Sequence, residues 1–157
     1  MKKAFTMIEL IFVIVILGIL AAVALPKFVG VAEQAREGNL KSFVGTLNRT
    51  VGPTLWNKAI STGKDGNISE LGDDANLSKY TDIPEEITNH DATKCDSTSE
   101  FKIIAKAPKE KMGGDYNYYV VCRTGTNSEA PKFVLGKATT TYNLGDNNDS
   151  NMIIIDK

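Results

Sequence analysis

The chain has 157 residues, 42% of them apolar, and a formal net charge of −1, which leaves room for one domain and an appended segment. Near neutrality hides an asymmetry: residues 27–60 carry five Lys/Arg against two acids, and residues 61–157 eleven against sixteen. A weakly basic stem ahead of an acidic head offers no basic patch or stripe, so direct charge-based binding of nucleic acid is not expected.

The first element is the most distinctive. Residues 4–28 read AFTMIELIFVIVILGILAAVALPKF, and Glu9 is the only formally charged side chain between Lys3 and Lys27. As a helix, residues 5–25 span about 30 Å, the hydrocarbon thickness of a bilayer. Lys2 and Lys3 precede the span, which places the N-terminus in the cytoplasm and everything after Pro26 across the membrane. An isolated acid in such a helix costs about 2.5–3.5 kcal/mol, so Glu9 demands compensation.

The helical pattern continues past the span. Apolar residues recur at Phe28, Val31, Ala32 and Ala35, then at Leu40, Phe43, Val44, Leu47, Val51, Leu55 and Ala59, mostly three or four apart. The stripe turns around the axis beside Gly38, so one face is free for other helices and another seats the head. Pro26 and the Gly52-Pro53 pair are expected to kink or open the helix, because proline removes a backbone donor and crowds the preceding turn.

From Ser61 to Ser99 the periodicity fails. The stretch STGKDGNISELGDDANL is rich in turn and cap formers and reads as a long surface connection with short helical turns. After it FKIIAKA (101–107), YNYYVVC (116–122), KFVLGKA (132–138) and NMIIID (151–156) are short, β-branched or aromatic, and separated by Gly/Asn/Asp/Pro clusters. They predict an antiparallel sheet of three or four strands packed on the Leu40 to Ala59 stripe, an α+β head on a helical stalk. Cys95 and Cys122, 27 positions apart, fit no CxxC motif. In an exported head they read as a disulfide; otherwise they are two small buried apolar residues.

A short basic leader (MKKA), then Phe5, Thr6, Glu9 and a long apolar helix with Gly18 and Pro26 resembles the N-terminus of type IV pilins, type II secretion pseudopilins and competence pilins. The close match covers residues 1 to about 36. The resemblance implies a leader at residues 1–4, a membrane and filament-core half-helix at 5–25, an amphipathic half at 26–60 and a head at 61–157, with the connection at 61–99 and the sheet at 100–157. It also implies that a prepilin peptidase cuts between Ala4 and Phe5 and that the Phe5 amine is then methylated. Ala4 stands where the family usually has Gly, and a small residue is kept. Glu9 would neutralise the Phe5 amine of a neighbouring subunit, while Gly18 and Pro26 would allow bending or melting during assembly. The partners implied are copies of the chain itself, minor pilins, the peptidase and an inner-membrane assembly platform. Two other readings use the same stretch: a secretory signal peptide cut after Ala22-Val23-Ala24, and a plain single-span anchor.

No catalytic constellation appears: His90 is the sole histidine, and G-x-S-x-G, P-loop and H-E-x-x-H patterns are missing from the sequence. His90 reads as a solvated loop residue. Asp146, Asn148 and Asp149 in LGDNNDSNM are oxygen donors suited to calcium, although the EF-hand template fails and a solvated turn has the same composition. Apart from that weak calcium candidate no cofactor is expected. An acid two residues before N-x-[ST] recurs at Asn67, Asn76 and Asn148, the extended acceptor of bacterial N-glycosylation, while Asn, Asp and Ser also crowd turns. Trp56, Tyr116, Tyr118, Tyr119 and Phe133 read as core rather than as a stacking platform for single-stranded DNA.

The reading is a non-enzymatic filament subunit for adhesion or motility, secretion, or DNA uptake. It waits in the bacterial inner membrane with its head in the periplasm and ends in a pilus or periplasmic pseudopilus. The alternative is a monomeric, membrane-anchored periplasmic binding domain.

Overall fold

The computed structural model describes residues 6–156, with the side chains of residues 25–29 and 156 outside that description. Helix α1 spans Met7–Thr46. It starts at Thr6 because a capping box closes there: the Glu9 amide donates to the Thr6 hydroxyl, and the Thr6 amide donates to the Glu9 carboxylate at 2.9 Å. Forty residues at about 1.5 Å each give a rod of roughly 60 Å, long enough for a membrane half and a head-bearing half. The backbone is helical through position 26, so the opening expected at Pro26 does not occur. One missing amide breaks a single rung, and the turns on either side carry the helix across.

At Gly52-Pro53 the expected opening is present. Residues Leu47–Val51 widen into a π-turn, closed by the Gly52 amide on the Leu47 carbonyl, before helix α2 resumes over Gly52–Ser61. Pro53 has no amide to give and its ring would crowd the carbonyl four residues back, which the wider turn relieves. Gly52 is required by close approach: a Cβ there would lie 2.9 Å from the Leu47 carbonyl and 3.0 Å from the Phe133 ring.

The connection to the sheet is built from 3₁₀ turns at Ile68–Ala75, Leu77–Lys79 and Ala92–Lys94. Each begins at an Asn or Asp whose side chain accepts the amide two residues on: Asn67 from Ser69, Asn76 from Ser78, Asp91 from Thr93. Ile68, Ala75, Leu77 and Ala92 point inward from these turns and are buried in the main core. Gly66, at φ 81°, makes the tight turn before the first of them under the Trp56 indole.

The sheet has five strands, not three or four, in the order β1 (Asn89–His90), β2 (Lys102–Ala107), β3 (Asn117–Arg123), β4 (Lys132–Ala138), β5 (Ile153–Asp156), each antiparallel to its neighbour. The added strand is the two-residue β1, which pairs with Ala105 and Lys106. A short helix α3, Lys109–Met112, joins β2 to β3. Along β3 the side chains alternate: Tyr118, Val120 and Cys122 face α1, while Tyr119 and Val121 face away. The helix face meets Leu40, Phe43, Val44, Leu47, Val51 and Leu55 of the predicted stripe, and each such side chain contributes about 1.5–3 kcal/mol by leaving water.

The opposite face of the sheet is also covered. Ile103, Tyr119, Val121 and Val134 lie beneath Tyr142, Leu144 and Met152 of the C-terminal segment. That segment runs along the edge of β2 where β1 ends, through hydrogen bonds from Ile103 N to Asp146 O (2.9 Å), Gly145 N to Ile103 O (2.8 Å) and Asn148 N to Phe101 O (3.0 Å), before returning as β5. Cys95 and Cys122, both fully buried, form a disulfide with Cα atoms 5.4 Å apart, tying the end of the third 3₁₀ turn to β3.

Candidate assembly surface and its seat on the head

Among the described residues, the N-terminal half of α1 packs against no other element. Met7–Ala24 has mean hydropathy 2.9 and none of it is buried, with Met7, Ile8, Phe12 and Ile19 all more than 60% exposed. A contiguous apolar surface of this size on a folded chain marks a membrane or protein contact. The helix therefore offers its whole girth to lipid or to other helices, and Gly18 lies on it with open space around its backbone. Ala4 and Phe5 lie outside the described residues, as does the side chain of Pro26.

Glu9 is less isolated than the sequence suggests. Its carboxylate takes the Thr6 amide at 2.9 Å and the Thr6 hydroxyl at 2.8 Å. The T-x-x-E spacing is a capping-box signature legible in the sequence, and it places the acid at the helix N-terminus, where the dipole favours negative charge. Thr6 and Glu9 both follow position 5, so a chain beginning there retains the box.

The helix is held to the head by a polar seat that periodicity does not reveal. The Tyr118 hydroxyl, on a side chain only 1% exposed, donates to Glu37 at 2.8 Å and to Glu33 at 3.1 Å. Glu37 in turn pairs with Lys41 at 2.7 Å and Lys137 at 3.7 Å. Burial resists the charge on Glu37, but hydrogen bonds from Lys41 and Tyr118 and the attraction of Lys41 and Lys137 outweigh it and hold the carboxyl below its ordinary 4.5. Burial first, then the two carboxylates it faces, raise the Tyr118 phenol and keep it protonated. A carboxyl depressed by folding contributes stability that is present above its unfolded pKa and disappears as pH falls through the folded value. Acidification below about 4.5 is thus expected to loosen the head from α1, read as a downward shift of the melting temperature that Glu37→Gln makes smaller. An equal acid shift in wild type and Glu37→Gln would assign it to other groups.

A second long-range clamp lies at the π-turn. Asn48 accepts from the Phe133 amide at 2.9 Å and donates to the Phe133 carbonyl at 2.7 Å, acting as a short strand against β4. Trp56 donates from its indole to the Thr126 carbonyl at 2.7 Å.

The remaining sequence-derived positions fall into place individually. Tyr118, Tyr119 and Phe133 are core, and Tyr118 and Tyr119 face opposite sides of the sheet, so with half-buried Trp56 and Tyr116 they build no common platform. His90 sits in β1 with its Nε2 3.4 Å from the Ser78 hydroxyl. Asp149 takes the Tyr142 hydroxyl at 2.5 Å and the Asn151 amide at 2.9 Å, and Asp146 takes the Asn143 amide at 2.8 Å. Both carboxylates thus serve internal donors, and among the described residues no three His, Cys, Asp or Glu side chains converge.

Comparison with known proteins agrees with this architecture. Residues 1–25 match the family model described as a prokaryotic N-terminal methylation motif. The chain is 29% identical over 110 residues to the type IV narrow pilus major component PilA5 of Thermus thermophilus, an alignment covering 69% of this chain and 91% of the relative. No solved structure matches the chain significantly. The N-terminal motif, the α+β architecture with its long apolar helix, and the Thermus relative together make the chain similar to type IV pilins and pseudopilins, which are structural subunits and not enzymes.

Proposed function

We propose that the chain is a prepilin that becomes the building block of a surface pilus. A peptidase of the inner membrane cuts between Ala4 and Phe5, the Phe5 amine is methylated, and the mature subunit waits with its N-terminus cytoplasmic and its head in the periplasm. An assembly platform then draws it out of the bilayer, so that the Phe5 to Leu25 surface moves from lipid to the helices of neighbouring subunits, with minor pilins as companions of the main polymer. Burial against like helices costs little when both environments are apolar, so register has to come from polar groups. Glu9 supplies it by pairing with the Phe5 amine of the next subunit.

The observation that carries this reading is the unburied apolar half of α1 with one acid in it, on a head whose own core is complete. A monomeric anchored domain has no use for that acid beyond the cap. The Thermus relative's name, a major component of a pilus, favours a pilus over a secretion pseudopilus or a DNA-uptake filament. Mass spectrometry of membrane-derived protein is expected to show a chain that starts at Phe5 and carries one extra methyl. A start at Leu25 would instead establish a signal peptide cut after Ala24.

A further inference from the structure

We infer that Asn76, alone of the three acceptor-like asparagines, carries an N-linked oligosaccharide on the exported head. Asn67, Asn76 and Asn148 all follow an acid by two residues and precede a Ser by two, so sequence does not rank them. The fold does. Asn67 is half-buried and its amide is committed at both ends: the oxygen accepts from the Ser69 amide, the Ser69 hydroxyl and the Thr124 hydroxyl, and the nitrogen donates to Glu70 at 3.1 Å. A sugar on that nitrogen displaces the Glu70 bond in a network that also holds the Ile68 amide through buried Thr124. Asn148 is half-buried in the segment that pairs with β2, its own amide bound to Phe101. Entry of a transferase there requires peeling this cover from Ile103 and its apolar neighbours.

Asn76 has neither obstacle. It is exposed, its side-chain oxygen accepts from the Ser78 amide at 3.0 Å, and among the described residues its side-chain nitrogen makes no hydrogen bond. The acid of the motif, Asp74, is held at the surface by Lys58 at 3.0 Å and Lys79 at 3.7 Å, and the Ser78 hydroxyl is exposed beside His90. A polar depression of about 260 Å³, lined by Gly72, Asp73, His90 and Thr93, opens next to the amide. It gives the first sugar ring room and its hydroxyls partners. The reaction is a substitution at the anomeric carbon of a lipid-diphosphate-linked oligosaccharide. The N–C bond forms, the C–O bond to the diphosphate breaks, the amide nitrogen loses one proton to a base of the transferase, and the lipid diphosphate departs.

This inference rests on export of the head, and one experiment separates the two. Protein purified from its own host is examined by intact mass and by sequencing of proteolytic glycopeptides. The expected result is a sugar-bearing peptide containing Asn76, a mass increment lost in Asn76→Gln and in Ser78→Ala, and an increment kept in Asn67→Gln and Asn148→Gln. Ser78→Ala preserves the Asn76 cap on the Ser78 amide, so its loss of mass is not a folding effect. An unmodified Asn76 in wild type, or a sugar on Asn67 or Asn148 in its place, overturns the inference. The same spectra read the N-terminus: a methylated Phe5 start with a bare Asn76 defeats the glycan alone, whereas an uncut chain defeats the prepilin reading.

Discussion

Glu9→Gln is expected to leave the protein inserted in the membrane and cut after Ala4, yet to suppress filament formation while mature subunits accumulate. The substitution is informative because Glu9 serves two possible ends. It closes the helix through Thr6, and in the proposed filament it meets the Phe5 amine of a neighbour. Glutamine also closes a capping box, so helix α1 keeps its start and only the charge is lost. In a monomeric anchor that change is neutral or favourable, since a buried carboxylate no longer has to be accommodated. In a polymer it leaves an amine buried without its partner, and breaking a buried pair from one side costs about 3–5 kcal/mol. At about 1.4 kcal/mol per tenfold change, that is roughly two to four powers of ten in the subunit association constant. Co-expression with wild type is expected to give fewer or shorter filaments than wild type alone. Normal yield from Glu9→Gln would remove charge pairing from the account and leave Glu9 with its cap.

The second large effect is expected from Cys122→Ser. The disulfide closes a loop that contains β2, α3 and most of β3, and fixes the long connection to the middle of the sheet. Both sulfurs are inaccessible, so the variant loses the cross-link and gains a buried hydroxyl in an apolar setting. Loss of a native bridge in a small exported domain costs about 2–5 kcal/mol, a large share of the roughly 5–15 kcal/mol that holds a domain together. Thermal melting of the detergent-solubilised chain, with and without a reductant, reads it directly. Wild type is expected to melt well above Cys122→Ser, with reduction erasing most of the difference. Equal melting temperatures under oxidising conditions would mean that the bridge adds nothing to the head.

Much of this architecture was legible in the sequence because its determinants are local. The apolar run of α1, the Leu40 to Ala59 stripe and the short apolar run of β4 are each written in a continuous stretch of chain, and β4 spans the predicted residues Lys132–Ala138. What was not legible depends on partners far along the chain. β1 has two residues and no β pattern of its own; it is a strand only because Lys106 and Ala105 lie beside it. Asn48 and Phe133, or Tyr118 and Glu33, are 85 residues apart in sequence, so nothing near either residue announces the contact. The cover over the outer face of the sheet was hidden for the same reason: Tyr142 and Leu144 fall between the predicted strands 132–138 and 151–156, and they become core, with Met152 at the start of the second, only once β2 to β4 are in place. The N-terminal site lies at the other extreme. Motif, charge and span fall within 25 consecutive residues, and the one local feature left unread, the Thr6 to Glu9 box, was also present as spacing.

The most direct measurement is electron cryo-microscopy of filaments sheared from cells that express the chain. The account predicts a polymer of this protein, with the first half of α1 along the axis, the heads outside, and each Phe5 amine within about 4 Å, ion-pair distance, of Glu9 on a neighbouring subunit. Filaments that lack this chain, or a polymer in which Glu9 faces away from every Phe5 amine, would contradict it.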